Sequence, residues 1–408
     1  MTEAAAVSAT SRVRVRSFGF GGSGFRIVFW DVIVPLSLLL TASSVVFAAH
    51  LGAVSSDFRG TIWDPLHAVL AGANPYPAVT AHSVDVGNPS VYPPVAFFVA
   101  LPVAWFPYAA AAAVWGMVLV LAVVAAIYIV GCRDVRCYVL VLLSLPVAEG
   151  LEFGNISLLL PVLVAAAWCW RDRAVRCGLA LALAIALKLF LAPLVLWLVA
   201  SRRYKGAAVA AGGSVLLVLG SWAVIGFDGL SSYPRLLRLD TQLYSNQSKS
   251  LYELVLAAGR TPVLALALAL GMALAVAILA IRVGRRGDDS AAFALAATAS
   301  LVASPLVWPH YYVVMAVPAA IRRTRLSWVW LLFPALWGAA LLPRSRPASC
   351  CGPASGHDAL WRAIHGSVPT WEVAAYVALL LLFGLSAVVR RPGRAAKARH
   401  PGLALGET

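Results

Sequence analysis

The first residues able to do chemistry lie in one polar stretch, residues 56–94, directly after the first long apolar run. This stretch carries Asp57, Asp64 and Asp85 against one arginine, in a chain whose formal net charge is +15. A carboxylate just beyond a membrane helix would lie at the headgroup boundary, where a lipid-linked substrate presents its polar end. Asp57 is therefore a candidate general base for deprotonating an attacking hydroxyl. The alternative is a solvated loop carboxylate.

A histidine with a similar setting occurs late in the chain. His310 ends the segment S-P-L-V-W-P-H, in which Pro305 and Pro309 interrupt the helical pattern and aromatic residues suit a membrane interface. An imidazole at such a break can be directed at a phosphate. The alternative is an interfacial histidine without a catalytic role.

Lys188 is the third candidate, because it lies inside the apolar run I-A-L-K-L-F-L-A-P. An ionisable residue in such a run is costly, so a functional role is the default hypothesis. A cation there can stabilise a leaving phosphate. Snorkelling towards headgroups is the alternative, and Glu149 and Glu152 are acidic residues able to pair with this lysine.

The composition identifies the scaffold that must position these residues. Of 408 residues, 61% are hydrophobic and 12% are charged, and the mean hydropathy is +0.85, well beyond a soluble domain. Apolar runs of about 20 residues must form helices in a bilayer. We therefore predict an all-α polytopic membrane protein, a bundle of about 12 transmembrane helices (between about 11 and 13) with catalytic outer loops.

The basic residues follow the positive-inside pattern, because they form short clusters between apolar runs. This pattern indicates membrane topology and argues against a nucleic-acid partner. We predict a cytoplasmic disordered N-terminus at 1–26, a transmembrane domain at 27–390 and a cytoplasmic basic tail at 391–408. The first outer catalytic loop is predicted at 51–94. Further outer loops are expected around Asn246 and His310 and at 343–367.

The middle of the chain, residues 92–200, allows two topologies. In one, each apolar piece crosses the membrane once. In the other, residues 92–105 are re-entrant and residues 175–200 form a pair of short helices with Lys188 at the turn. The second topology puts Asn155 and Lys188 on the same side as Asp57.

Several motifs of the chain belong to one pattern. The first loop reads D-F…W-D…G-A-N-P-Y followed by Y-P-P, and later come N-Q-S at 246–248 and S-P-L-V-W-P-H at 304–310. Together these motifs resemble glycosyltransferase family 87, the polyprenol-phosphate-mannose-dependent α-1,2-mannosyltransferases of the GT-C superfamily. F-G-N-I-S and A-L-K-L stand where the family has G-Q-x-N and a lysine followed by proline. The chain departs from the family pattern at two places. Asn155 and Ser157 replace the family's Gln and Asn, and Lys188 is not followed by a proline.

The resemblance implies a GT-C fold and inverting transfer of a sugar from a polyprenyl-phosphate donor to a glycolipid or glycan acceptor at the plasma membrane. It implies Asp57 as the base and His310 near the donor phosphate. The basic clusters put both on the extracytoplasmic face, and because His310 and Lys188 can meet the charge of a phosphate monoester leaving group, we expect no metal and no cofactor. The candidate substrate-binding residues are Asp64, Tyr76, Tyr92, Asn155, Lys188, Asn246 and Gln247. The family favours mannose as the donor sugar.

Two alternatives stay open at this point. One is a polyprenyl-phosphate arabinofuranosyltransferase on the same scaffold. The other is a lipid-linked sugar flippase without chemistry, which would place ionisable residues along a path through the membrane. The sequence does not identify the acceptor or the oligomeric state.

Overall fold

The computed structural model describes residues 28–50, 54–76, 90–341 and 370–388, and every regular element within these ranges is helical. The predicted tails at 1–26 and 391–408 and the predicted outer loop at 343–367 lie outside the described residues. So do residues 51–53 and 77–89 of the first outer loop.

The α-helices of the described ranges follow one another along the whole chain. In chain order they are α1 (Val34–His50), α2 (Asp64–Leu70), α3 (Val95–Phe98), α4 (Tyr108–Ile129), α5 (Val135–Leu142), α6 (Leu145–Glu152), α7 (Leu160–Cys169), α8 (Ala174–Leu187), α9 (Val195–Ala200), α10 (Tyr204–Val224), α11 (Tyr233–Tyr244), α12 (Leu251–Ala257), α13 (Pro262–Arg285), α14 (Asp289–Ala303), α15 (Ala316–Arg322), α16 (Leu332–Leu341) and α17 (Thr370–Ser386). Short 3-10 or π-helical pieces lie at Phe29–Ile33, Phe58–Trp63, Leu101–Val103, Ile156–Leu159, Leu189–Leu194, Ser245–Gln247, Pro309–Met315 and Trp328–Leu331.

Among the described residues, three helices are long and apolar enough to cross a membrane: α4, α10 and α13. Several further apolar helices are shorter, and many of them continue directly from a 3-10 or π-helical piece. The predicted all-helical membrane fold is thus confirmed. The predicted number of about 12 spanning helices stays a prediction, because only these three meet the length and composition expected of a span.

The bundle has two ends, which we name after one carboxylate each. At the Asp289 end, Arg203 pairs with Asp289 at 2.9 Å, and the loop after α4 contacts the loop after α15 through Cys132 Sγ and Thr324 O at 3.3 Å. At the Asp57 end, Tyr108, the first residue of α4, donates a hydrogen bond to Ser55 O at 3.2 Å. Helix α4 therefore joins the two ends.

Residues 174–200 form a hairpin of helices that reverses at Lys188. Gly178 of α8 lies against Val209 and Gly213 of α10 lies against Ala182, so α8 and α10 run parallel. A Cβ at Gly206 would lie 3.6 Å from Ala174 O and 3.7 Å from Leu198 Cδ1. The start of α8 and the end of α9 are therefore at the same level, which matches the second of the two topologies for this segment.

Helix α14 is the central helix of the bundle, since it is buried on nearly every side from Ala291 to Val302. A helix that is apolar all round belongs in a core, and its many alanines let neighbouring helices approach closely. Gly384 of α17 packs directly against Thr298. Helix α14 leads from Asp289 at one end to the loop that carries His310 at the other.

Candidate active site

The segment that carries Asp57 is docked onto the turn after α6. The backbone N–H groups of Asp57 and Phe58 both donate to Phe153 O, each at 3.1 Å. Gly154 follows with φ +65°, and a Cβ there would lie 2.9 Å from Phe58 Cβ, so the close approach requires glycine. Trp115 Nε1–H donates to Gly154 O at 2.8 Å. Two helices thus fix the backbone beside Asp57.

Asn155 connects Asp57 to Tyr92. Its Nδ2 donates to Asp57 Oδ2 at 2.5 Å and to the Tyr92 hydroxyl at 3.1 Å. Its Oδ1 accepts the Ser157 N–H at 2.9 Å, which caps the following 3-10 helix and sets the orientation of the amide. Asn155 is 2% exposed, so the amide holds the Asp57 carboxylate from inside the bundle.

Two buried tyrosines hold the backbone beside Tyr92. The Tyr76 hydroxyl donates to Tyr92 O at 2.6 Å, and the Tyr233 hydroxyl donates to Val91 O at 2.8 Å. Tyr76 is itself stacked on Trp222, with ring centroids 4.7 Å apart. Tyr92 lines the cluster, while Tyr76 supports it from behind.

Lys188 is a buried cation, and among the described residues no carboxylate lies within ion-pair distance of it. Its Nζ lies 3.9 Å from the centroid of the Tyr311 ring and 5.0 Å from that of Tyr92, so aromatic faces stabilise the charge. The charges of Asp57, Asp240 and Glu149 act on it at longer range. Such a cation is available to an anionic ligand.

His310 is oriented by Glu149. Both the His310 backbone N–H, at 3.1 Å, and its Nδ1, at 3.3 Å, face Glu149 Oε2. With a proton on Nδ1, Nε2 is the atom left for a ligand; it is buried and has no hydrogen-bond partner in the part of the chain that the structure describes. Glu149 therefore contacts His310 directly, whereas sequence analysis considered it as a partner for Lys188.

The three remaining predicted residues are Asp64, Asn246 and Gln247. Asp64 is exposed and 3.8 Å from Arg59 in a surface ion pair. Asn246 is exposed in the 3-10 turn Ser245–Gln247. The neighbouring Gln247 has a buried Oε1 without a hydrogen-bond partner among the described residues. The structure thus brings together Asp57, Tyr92, Asn155, Lys188 and His310, with Tyr76 behind them.

Sequence analysis missed Asp240, which lies on α11 and interacts with both Asp57 and Lys188. Burial, and then the charge of Asp57, raise the pKa of Asp240 to about 7, although Lys188 opposes the shift. The signal that was available is the spacing of Tyr233, Asp240 and Tyr244, which places all three on one face of a helix.

Within the described ranges, no three His, Cys, Asp or Glu side chains converge as a metal site would require. The expectation of a reaction without a metal therefore stays a prediction. The titratable groups that do converge are three carboxyls, Asp57, Asp240 and Glu149, together with the Lys188 amine and the His310 imidazole. Such a set can remove a proton on one side and meet developing negative charge on the other.

The model of a family described as glycosyltransferase family 87 matches residues 91–305, just over half of the chain. The matched range includes Tyr92, Asn155, Lys188 and Asp240, whereas Asp57 and His310 lie outside it. No curated protein and no solved structure matches the chain.

Proposed function

The chain belongs to glycosyltransferase family 87, and from this premise we propose that it is an inverting enzyme that transfers mannose from a polyprenyl phosphate to a lipid-linked or cell-envelope glycan. The family and the apolar helices make it a membrane glycosyltransferase. One observation supports the finer proposal most strongly. The Asp57 carboxylate, held by Asn155, and the Lys188 ammonium, which has no ion pair in the part of the chain that the structure describes, line the same cluster.

The proposed reaction exchanges one bond at the anomeric carbon. An acceptor hydroxyl attacks this carbon from the face opposite the phosphate, and the bond from the carbon to the phosphate oxygen breaks. Asp57 takes the hydroxyl proton as the new bond forms. The products are an inverted glycoside and a polyprenyl phosphate monoester. The hydrogen bond from Asn155 directs one carboxylate oxygen of Asp57 and supports this role.

The phosphate of the donor is proposed to lie beside Lys188 and His310. A buried ammonium between two aromatic rings is a weakly solvated cation, so its attraction for a leaving phosphate is larger than in water. His310 would donate a hydrogen bond from Nε2 as the doubly protonated imidazolium, with its Nδ1–H directed at Glu149. Both groups would meet the charge that develops as the anomeric bond breaks.

We further propose that the Asp57 end faces the extracytoplasmic side of the plasma membrane and that both termini are cytoplasmic. The arginines at the Asp289 end support this orientation, since Arg203 lies there together with the loop that follows Arg322. The proposed bundle has about 12 passes, several of them built from a shorter helix and an adjoining 3-10 piece.

The choice of mannose rests on the family resemblance. Groups that hydrogen-bond the sugar hydroxyls would discriminate mannose from other donor sugars. A site that hydrogen-bonds a particular hydroxyl rejects analogues lacking it far more strongly than an apolar pocket rejects a change in size. Asn155, Asn246 and Gln247 are the proposed donor-sugar contacts. Of these, Gln247 has the buried carbonyl oxygen without a partner among the described residues.

The test is turnover by purified protein in detergent, where no membrane sidedness exists. The protein is given labelled polyprenyl-phosphate mannose, the corresponding arabinofuranose donor and a mixed pool of lipid and glycan acceptors. We expect consumption of the mannose donor and an inverted product. Exclusive arabinose transfer would overturn the choice of sugar, and binding of both donors without turnover would indicate a transporter.

A further inference from the structure

Helix α11 (Tyr233–Tyr244) carries an acidic residue that the mechanism above does not use. Asp240 is seven residues after Tyr233 and four before Tyr244, so the three side chains share one helical face over about 16 Å. The Tyr233 hydroxyl donates to Val91 O at 2.8 Å, and the Tyr244 ring lies 6.1 Å from the ring of Trp308. The face thus reaches from the Tyr92 segment to the His310 segment.

Asp240 lies between Tyr233 and Tyr244 on this helical face. Leu236, one turn earlier, is 1% exposed, while Arg235 and Arg238 on the opposite face are exposed. Asp240 interacts electrostatically with Asp57 and Lys188, and its charge also acts on Tyr92 and Tyr311. These partners come from four different segments, so the carboxyl is directed into the cluster.

The hydrogen-bonding capacity of this carboxyl is unused by the protein. Among the described residues, no hydrogen bond or ion pair joins Asp240 to another side chain or to the backbone. Burial raises its pKa to about 7, which is the expected effect of desolvation without a compensating donor. A carboxyl kept half-buried at this cost is suited to hydroxyl groups of a bound sugar.

The groups of the cluster differ in the ligand chemistry that they suit. The Lys188 ammonium suits the anionic donor phosphate, whereas a carboxylate, as a hydrogen-bond acceptor, suits neutral hydroxyl groups. Asp57 and Asp240 therefore suit the hydroxyl groups of the neutral acceptor. Helix α11 also presents its other face outward, which is consistent with an acceptor entering beside it.

We propose that Asp240 is an acceptor-binding residue whose carboxylate accepts a hydrogen bond from a sugar hydroxyl next to the one that Asp57 deprotonates. The inference rests on the proposed transferase function. It assigns the acceptor class as a glycan terminus with a second free hydroxyl beside the attacking one. It makes Asp240 a determinant of acceptor specificity and leaves Asp57 as the base.

The test uses full-length protein in detergent, labelled polyprenyl-phosphate mannose, and octyl α-mannoside with its monodeoxy analogues as acceptor probes. For the unmodified protein, one analogue that retains the attacking hydroxyl should lose about tenfold or more in kcat/KM, the range of a hydrogen bond to a charged group. In Asp240→Asn the KM for octyl mannoside should rise by about the same factor, while the KM for the donor should stay unchanged. In this variant the kcat/KM for the deoxy analogue should be close to the kcat/KM for octyl mannoside, because the hydrogen bond is already lost. Asp228→Asn, an exposed carboxyl before α11, is the matched control.

The ratio of kcat/KM for octyl mannoside to kcat/KM for the deoxy analogue is measured within each variant. This ratio therefore does not depend on the fraction of folded protein. If Asp240→Asn keeps the wild-type ratio, the inference is wrong. It is equally wrong if the variant raises the KM for the donor alone. Absence of transfer by the unmodified protein with every acceptor would instead count against the proposed function.

Discussion

Buried charges at the two ends of the bundle are handled differently. At the Asp289 end, the Asp289 carboxylate accepts hydrogen bonds of 2.6–2.9 Å from Trp197, Ser201 and Arg203. At the Asp57 end, the Lys188 ammonium lies against the Tyr92 and Tyr311 rings, and within the described residues it has no ion pair and Asp240 has no hydrogen bond. The protein satisfies the Asp289 carboxylate internally, and the Asp57 end contains the buried Lys249–Glu372 pair at 2.9 Å, whereas Lys188 and Asp240 are left for a ligand.

The difference separates stability from function. A satisfied network of ion pairs and hydrogen bonds holds elements together, and removing one member leaves its partners unpaired. An unsatisfied buried charge lowers stability and persists where binding or catalysis needs it. We therefore expect substitutions at the Asp289 end to change the melting temperature, and those at the Asp57 end to change the rate.

The largest effect among the tests of this comparison is expected for Lys188→Met, which keeps the apolar stem and removes the charge. The rate of sugar transfer should fall about 100- to 1,000-fold, the range for loss of one group that stabilises developing charge. The melting temperature in detergent should hold or rise, because a buried charge without an ion pair is removed. Lys205→Met, at an exposed lysine of the Asp289 end, is the control. A large fall in melting temperature for Lys188→Met would contradict the comparison.

Glu149→Gln is expected to have the next largest effect, through His310. Loss of the carboxylate that faces Nδ1 should lower the transfer rate about 10- to 100-fold, as for other residues that orient a functional histidine. The double variant with His310→Asn should lose no more than His310→Asn alone, because the two act as a unit. Additive losses would show that Glu149 acts independently of the histidine.

Asp289→Asn tests the other end. It weakens the pairing with Arg203, so we expect a cost of about 2 kcal/mol and a melting temperature lower by several degrees. The transfer rate per folded molecule should stay within about twofold, because no chemistry is assigned to this end. The folded fraction is measured by size-exclusion chromatography before the assay. A large loss of rate in the folded fraction would break the separation between the two ends.

The smallest effect concerns the pH dependence of stability at Asp240. The charged groups that act with it are Asp57 and Lys188, and burial raises its pKa to about 7 from an ordinary acidic value. Between these values the folded state holds more protons than the unfolded state, so stability falls as pH rises. Asp240→Asn should remove this slope, and its melting temperature should exceed that of the unmodified protein by a few degrees at about pH 8. If the melting temperature of Asp240→Asn and that of the unmodified protein changed equally with pH from about pH 5 to pH 8, this prediction would be contradicted.

Residue type and local breaks in the apolar pattern predicted the helical membrane fold and the candidates Asp57, Lys188 and His310, whereas Asn155 became a candidate through the family resemblance. These positions were recognisable because a polar residue in or next to an apolar run is costly. The structure adds that Asn155 binds Asp57 directly. Such a contact joins two segments far apart in sequence, and spacing alone does not give it.

Other features depend on the direction of a side chain, which the sequence did not supply. Asp64 and Asp57 lie in the same loop with the same residue type, yet Asp64 is exposed beside Arg59. Asp240 lies in a polar helix with arginines and was not distinguished from a solvated face. The number of spanning helices stays a prediction, because several apolar stretches in the described ranges are interrupted by 3-10 turns.

The most direct test of the central claim is the initial rate of sugar transfer by purified Asp57→Asn, measured together with its melting temperature. The substitution keeps the shape of the side chain and removes the base. We predict a rate at least about 100-fold below that of the unmodified protein, a melting temperature that is not lowered, and a normal rate for the control Asp228→Asn. Transfer by Asp57→Asn at the full rate would contradict the assignment of the Asp57 end as the active site.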